Sequence, residues 1–334
     1  MSETYYVGID LGTSRTSIAT STGVRLTTDT VVGYSKDVIS KKRFGVDYLL
    51  GKDALANRLA LDMVWPLADG VLQSNTRHVD SVRIIIRDIL VKSIPDLKDD
   101  DKVFAAIGVP AKASMKNKTD LLKAANGLVD KLLIVSEPFA VAYGLDRFDE
   151  VLVVDIGAGT ADLICIKGHL PEAEDQVTLT TAGNYLDGKI TEAILSRHPN
   201  VQLTPQIIKK IKEKYGYVTV SEDVSVTLTE KGKPSVYDIT GLLQECCFML
   251  TDPICEAVQE LVGNFDPEFQ EKLRHNVIVA GGGSRLRGID RAIEKGLEEY
   301  GGGEATIVQD AEFAGAEGSL KMALEMPEQY WEEL

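Results

Sequence analysis

Cysteine is scarce in this sequence, and what there is carries no paired chemistry. Cys165, Cys246, Cys247 and Cys255 form no CxxC pair, and no histidine stands at zinc-ligand spacing. A zinc site and a disulfide framework are therefore excluded on spacing, leaving reduced, partly buried thiols as the expectation. Histidine is equally thin: His78, His169, His198 and His275 are scattered and form no catalytic cluster. Positive charge is in deficit, with 36 Lys and Arg against 51 Asp and Glu, a net charge of −15. That acidity argues against general affinity for nucleic acid or anionic lipid, while leaving room for a local basic patch. No apolar run reaches the ~18 residues of a bilayer-spanning helix. The start, MSET, leads straight into the strand YYVGID with no signal-peptide pattern, so a cytosolic protein without direct membrane insertion is expected. Also missing are a GxxxxGK[ST] loop, a kinase lysine set and a GxGxxG fingerprint after the first strand, where Gly12 is followed by Thr13 and Ser14.

What is present is length and pattern. The 334 residues, 44% hydrophobic, suit about two domains. Tyr5 to Asp10 reads as a strand, Gly12 to Ser14 as a turn and Thr16 to Ser21 as a returning strand. Residues 24–52 read as further short strands, with a basic stretch at Lys41 to Arg43, and Asp53 to Leu61 as a short helix. Val79 to Ser93 has helical period, with Val82, Ile85, Ile86, Ile89 and Leu90 on one face. A strand at Val103 to Val109, a helix from about Ala113 to Leu128 and a strand at Leu132 to Val135 follow. Ser136-Glu137-Pro138 opens a helix, Ser136 suiting the cap and Pro138 the first turn. At Val151 the opening pattern returns: a strand ending in Asp155, a turn at Gly157 to Thr160, and a strand from Ala161 to Lys167. A copy half a chain away is what a duplicated domain requires. Later come a buried strand at Val277 to Ala280, helices at Ile289 to Tyr300 and Glu312 to Leu324, and an acidic, amphipathic tail, PEQYWEEL.

The chemistry concentrates where strands meet glycine. Asp10 to Ser14, Asp155 to Thr160 and Gly281 to Ser284 are three turns, each following an apolar strand. Glycine lets backbone N–H groups close on a phosphate, and Thr and Ser hydroxyls add donors. Asp10 and Asp155 each end a strand beside such a turn. If the two halves face one another, two carboxylates and phosphate oxygens make a Mg²⁺ site whose ion keeps most of its waters. The bland alternative is that each aspartate only caps its turn.

Five segments, GIDLGTSRTSIA, SEPFAVAYG, VVDIGAGTADL, VIVAGGGSRLRGI and GAEGSLKMA, occur in this order. They resemble the nucleotide-site motifs of the actin, sugar-kinase and seventy-kilodalton chaperone superfamily, over nearly the whole chain. Length and wording look most like the bacterial actins, with the magnetosome-organising branch nearest and the cell-shape branch second. The resemblance implies an α/β fold of duplicated actin-like (ribonuclease H-like) domains. Each would hold a mixed five-stranded sheet with flanking helices, around a nucleotide cleft. The halves would be 1–145 and 146–334, with small subdomain insertions at about 33–76 and 184–252. ATP or ADP and Mg²⁺ are the implied cofactors. Gly12, Thr13 and Ser14 would hold the β- and γ-phosphates from the first half, and Gly157, Gly159 and Thr160 from the second. Asp10 and Asp155 would orient Mg²⁺ through waters. Glu137 would position the attacking water, assisted by Asp162. Gly281, Gly282, Gly283 and Ser284 would line the adenosine pocket. The segment KKIKEKYGYV would bring Lys212 and Glu213 to the adenosine, Glu213 accepting from ribose hydroxyls, although both also fit a solvated helix face. Arg15 stands where bacterial actins often have a small polar residue, and either phosphates, a neighbouring subunit or solvent could take it. Ala161 replaces a frequent Thr, which implies slow turnover.

The implied activity is a polymerising ATPase of the cytoplasm, slow and stimulated by assembly. Its partners would be further copies of itself and magnetosome or membrane-associated adaptor proteins, alongside magnetosome membranes, with no nucleic acid. A head-to-tail interface that does not close on itself extends into a filament. No appended peptide-binding region of the chaperone kind is expected, and no base for a sugar hydroxyl is identifiable. A small-molecule kinase of the same fold and a scaffold that hydrolyses negligibly are the rival readings.

Overall fold

The computed structural model describes residues 2–219 and 222–333. Its contacts divide the chain into two compact units, Met1–Arg147 with Glu312–Leu334, and Phe148–Ala311. The expected division gave 312–334 to the second half; by packing it belongs to the first.

In the first unit, Thr4–Leu11, Arg15–Thr20 and Arg25–Asp29 form an antiparallel meander, and Lys102–Val109 and Lys131–Ser136 add in parallel on the other side of Thr4–Leu11. The second unit repeats this order. Asp149–Ile156, Ala161–Lys167 and Gln176–Leu179 make the meander, and Val277–Ala280 and Ala305–Ile307 the parallel pair. The duplicated mixed sheet read from the sequence is therefore present. The first sheet has six strands where five were expected. The sixth, Glu332–Glu333, comes from the chain's last residues and pairs with Lys131 and Leu132 along an otherwise free edge. Trp331 anchors it, its ring 5.4 Å from that of Phe104; Leu334 of the acidic tail lies outside the described residues.

Apolar periodicity explains most elements. The helix Thr76–Ser93 buries Val82, Ile85, Ile86, Ile89 and Leu90, as its spacing requires. Asn75 caps it, accepting from the His78 N–H. Met115–Ala125 is shorter than its periodicity suggested because Ser114 caps it at one end. The helix from Ile289 stops at Leu297 and tightens into a 3₁₀ turn, Glu298–Tyr300. Two local readings fail. Residues 38–44, expected within a run of strands, form the helix Val38–Phe44, because Asp37 accepts from the Ile39 and Ser40 N–H groups while Ser40 Oγ accepts from the Asp37 N–H. The expected helix at 53–61 is Gly51–Ala56 and a 3₁₀ turn, after which Leu61–Val64 is a strand. All four cysteines are free and buried, and burial pushes the Cys165 and Cys255 thiols up to about 12, which leaves them unreactive. Among the described residues, no helix is long and apolar enough to cross a membrane.

The closing helix, Ala314–Glu325, seats directly on Thr4–Leu11 and on the helix Glu137–Gly144. A Cβ on Gly8 would stand 2.1 Å from the Ala316 carbonyl oxygen, and one on Gly318 would stand 1.8 Å from that of Ala140. Backbone meets backbone here, with no side chain between. Gly318→Ala normally gains about 1 kcal/mol of helix propensity. At this position the steric term wins, and we expect a net loss of about 2–3 kcal/mol, read as a lower melting temperature.

Candidate functional site

Each unit carries a strand-ending aspartate with a glycine turn directly after it, on the same pairing offset. Asp10 faces Ser17 across the meander, and Asp155 faces Asp162, the same seven-residue separation in both. In the first turn a Cβ on Gly12 would lie 2.7 Å from the Arg15 carbonyl oxygen. In the second, the Gly157 N–H donates to the Thr160 carbonyl at 2.8 Å, and a Cβ on Gly157 would lie 3.0 Å from that oxygen. Both turns fold tightly onto the residue three places on: a side chain at Gly12 does not fit, and one at Gly157 would need the Thr160 carbonyl to shift by a few tenths of an ångström.

In the first unit the Thr30 hydroxyl donates to the Gly12 carbonyl at 2.8 Å, and the Thr30 N–H to that of Ser14 at 3.0 Å, which fixes the loop from behind. Thr13 Oγ1 accepts from the Gly70 N–H at 2.9 Å, so the hairpin of Leu67–Ala68 and Val71–Leu72 docks on the loop. The Thr13 hydroxyl proton stays available to a phosphate oxygen. Arg15 begins the second strand opposite Asp29, half-buried. Burial pushes the Asp10 carboxyl up to about 6. Glu137 is the first residue of its helix, following Ser136 at the end of a parallel strand. Ser136 occupies the cap position, but its side chain makes no capping hydrogen bond and its Oγ is buried without a partner.

In the second unit the N-terminus of the helix Gly183–Arg197 grips the turn: the Gly183 and Asn184 N–H groups donate to the Gly157 and Ala158 carbonyls at 3.1 and 2.7 Å. Gly159 and Thr160, within that turn, are buried. Asp162 is buried too and accepts from the Thr178 hydroxyl at 2.6 Å. Gly281 takes a left-handed backbone, φ 73°, and a Cβ there would lie 2.2 Å from Asp155 Oδ1. This brings the third glycine turn against the strand-ending aspartate. Ser284 is buried with its hydroxyl donating back to the Gly281 carbonyl at 2.7 Å, while Gly282 is exposed and Gly283 half-buried.

Lys212 does a job the sequence did not announce. From the helix Pro205–Tyr215 its Nζ donates to the Gly183 carbonyl at 2.6 Å and pairs with Asp187 at 2.9 Å. It thereby ties that helix to the helix gripping the turn. Burial pushes the Asp187 carboxyl up despite the Lys212 charge. Glu213, next in sequence, is exposed. Sequence reasoning also missed Thr30 and Gly70. The hydroxyl of Thr30 gives no local pattern, and Gly70 in a Asp69-Gly70 turn signals only a hairpin. Among the described residues, no group of three or more His, Cys, Asp or Glu side chains gathers to cage a metal ion. Mg²⁺ held mostly by waters and phosphate asks for no such cage.

Residues 4–329 match the model of the MreB/Mbl protein family. The sequence is 41% identical to the actin-like protein MamK of Paramagnetospirillum magneticum over 331 residues, 98% of this chain and 95% of the relative. Among solved structures, a MamK double helical filament is similar with a TM-score of 0.94 and 40% identity, over 97% of this chain and 100% of that one. A non-polymerising MamK mutant bound to AMPPNP is similar with a TM-score of 0.74 and 40% identity over the same shares.

Replacing Lys212 by Met leaves a half-buried carboxylate and a carbonyl without their donor. We expect a loss of about 2–3 kcal/mol in urea denaturation. Adding Asp187→Leu should recover part of it, since removing both partners costs less than removing one.

Proposed function

The chain belongs to the MreB/Mbl family and has the actin-like fold, and from that premise we propose that it is a polymerising bacterial actin that binds and hydrolyses ATP. The observation that carries the reading is the similarity to MamK over nearly the whole chain, in sequence and as a filament subunit, joined to two aspartate–glycine turns with the same pairing offset. In this reading the filament organises magnetosome organelles through membrane-associated adaptor proteins.

The loop from Gly12 through Ser14, with Arg15 beside it, and the loop Gly157, Gly159 and Thr160 are the phosphate-holding elements. Gly281 to Ser284, Lys212 and Glu213 are assigned to the adenosine side. For Lys212 the support is indirect: its ammonium fixes the Gly183 helix end. Asp10 and Asp155 are the Mg²⁺ carboxylates, acting through water. The residues fit these groups. The glycines leave space that a Cβ would fill, and a cation bound beside Asp10 would offset the burial that pushes its carboxyl up. Mg²⁺, when bound there, would supply charge neutralisation at the transferred phosphate. Glu137 orients the water, assisted by Asp162, whose carboxylate accepts from the Thr178 hydroxyl. Phosphoryl transfer to water asks mainly for positioning and electrostatics, which such loops provide.

Electron microscopy of the purified protein with ATP·Mg²⁺, with ADP and without nucleotide is the direct test. Filaments should form with ATP at micromolar concentration; a monodisperse monomer under all three conditions overturns the reading. Light scattering that rises with ATP·Mg²⁺ alone, without a second substrate, separates it from a small-molecule kinase. Glu137→Ala should cut phosphate release by about 100-fold while filaments still assemble. A fluorescent fusion that follows the cell envelope instead of the organelle chain would favour the cell-shape role suggested by the breadth of the family match.

A further inference from the structure

Gly108 sits inside the parallel strand Lys102–Val109, buried, in register with Asp10 on one side and Val135 on the other. It is therefore the residue between the strand that ends in the Asp10 carboxylate and the strand that delivers Glu137. A Cβ on Gly108 would lie 3.1 Å from Glu137 Cγ, 3.6 Å from the Ile9 carbonyl oxygen and 3.9 Å from Asp10 Cα. Only the first of these is closer than ordinary van der Waals contact. The stem of Glu137 thus passes over the space where a side chain at 108 would start.

A glycine inside a central strand needs a reason, because it gives up packing and β-propensity. Neither backbone strain nor a close backbone neighbour supplies one: Gly108 is not among the residues with positive φ, and its backbone neighbours stand at contact distance. The Glu137 side chain is the tight neighbour that remains. The Asp10 carboxyl has a glycine against it too, since a Cβ on Gly315 would lie 3.0 Å from Asp10 Oδ2. Two glycines from distant parts of the chain clear the ground around the two carboxylates of this unit.

We propose that Gly108 is a positioning residue for the hydrolytic step, its missing side chain setting where the Glu137 carboxylate rests relative to Asp10. This rests on the reading of Glu137 as the water-orienting group. An alanine methyl at 108 must push the Glu137 stem by a few tenths of an ångström, and placement errors of this order are costly when catalysis is positional.

The experiment is a pair of cycles on the full chain. In the kinetic cycle, Gly108→Ala should lower the single-turnover rate of ATP hydrolysis about tenfold. ATP affinity should be unchanged, and the same substitution should cost nothing further on a Glu137→Gln background. A wild-type rate in Gly108→Ala, or an equal fractional loss on both backgrounds, overturns the proposal. In the thermal cycle, which holds even if Gly108→Ala folds poorly, Gly108→Ala should lower the melting temperature and Gly108→Ala/Glu137→Ala should restore it to that of Glu137→Ala. A double variant as unstable as the single one means that the methyl collides with something other than Glu137, and sinks the idea. If the wild type itself hydrolyses no ATP, it is the ATPase reading that fails, while the thermal cycle still reports the Gly108–Glu137 contact.

Discussion

The first unit is organised by a contact between two backbones. The helix Ala314–Glu325 lies on the strand Thr4–Leu11 so closely that Gly8 has the Ala316 carbonyl where its Cβ would be, and Gly318 has that of Ala140. Packed layers ordinarily interpose side chains, which is what keeps stacked sheets about 10 Å apart. Glycine removes that layer. The end of the chain is thereby locked to its beginning, and Gly315 is carried to the Asp10 carboxylate. A candidate metal ligand is positioned by a helix some 300 residues away in sequence, and no flexible side chain intervenes to blur its place.

The second unit solves the same problem differently. Its aspartate is fenced by Gly281, in a left-handed turn that follows the neighbouring parallel strand. The separate turn from Gly157 to Thr160 is held by N–H groups of a helix end, and that helix end is held in turn by Lys212. Charge and hydrogen bonding do here what close packing does in the first unit. Both arrangements leave a strand-ending carboxylate beside a tight glycine turn. That shared outcome, rather than any single residue, is the physical basis for reading the pair as nucleotide-handling loops.

The acidic balance of the chain bears on assembly. A net charge of −15 makes like copies repel at long range, and salt screens that repulsion within about 10 Å at 0.1 M. A polymer of such subunits must overcome this with short-range contacts, so in the proposed reading assembly is sensitive to ionic strength and to whatever the nucleotide does to those contacts.

Much of this was legible in the sequence because it is local. The helix face of Val82, Ile85, Ile86, Ile89 and Leu90, the two Asp-to-glycine turns and the repeated meander all follow from spacing along the chain, since one strand or one helix dictates it. Even the missed helix Val38–Phe44 had its signal in Asp37, Ser40 and Gly45. What the sequence could not show depends on neighbours far apart in the chain. The return of 312–334 to the first unit, the sixth strand at Glu332–Glu333, the engagement of Lys212 with Gly183 and Asp187, and the approach of Gly108 to Glu137 each join residues from different elements. Periodicity reports which face of an element is buried; it carries no record of what lies against that face. Only packing in three dimensions decides that, and in this protein packing settles where the two carboxylates of the first unit stand.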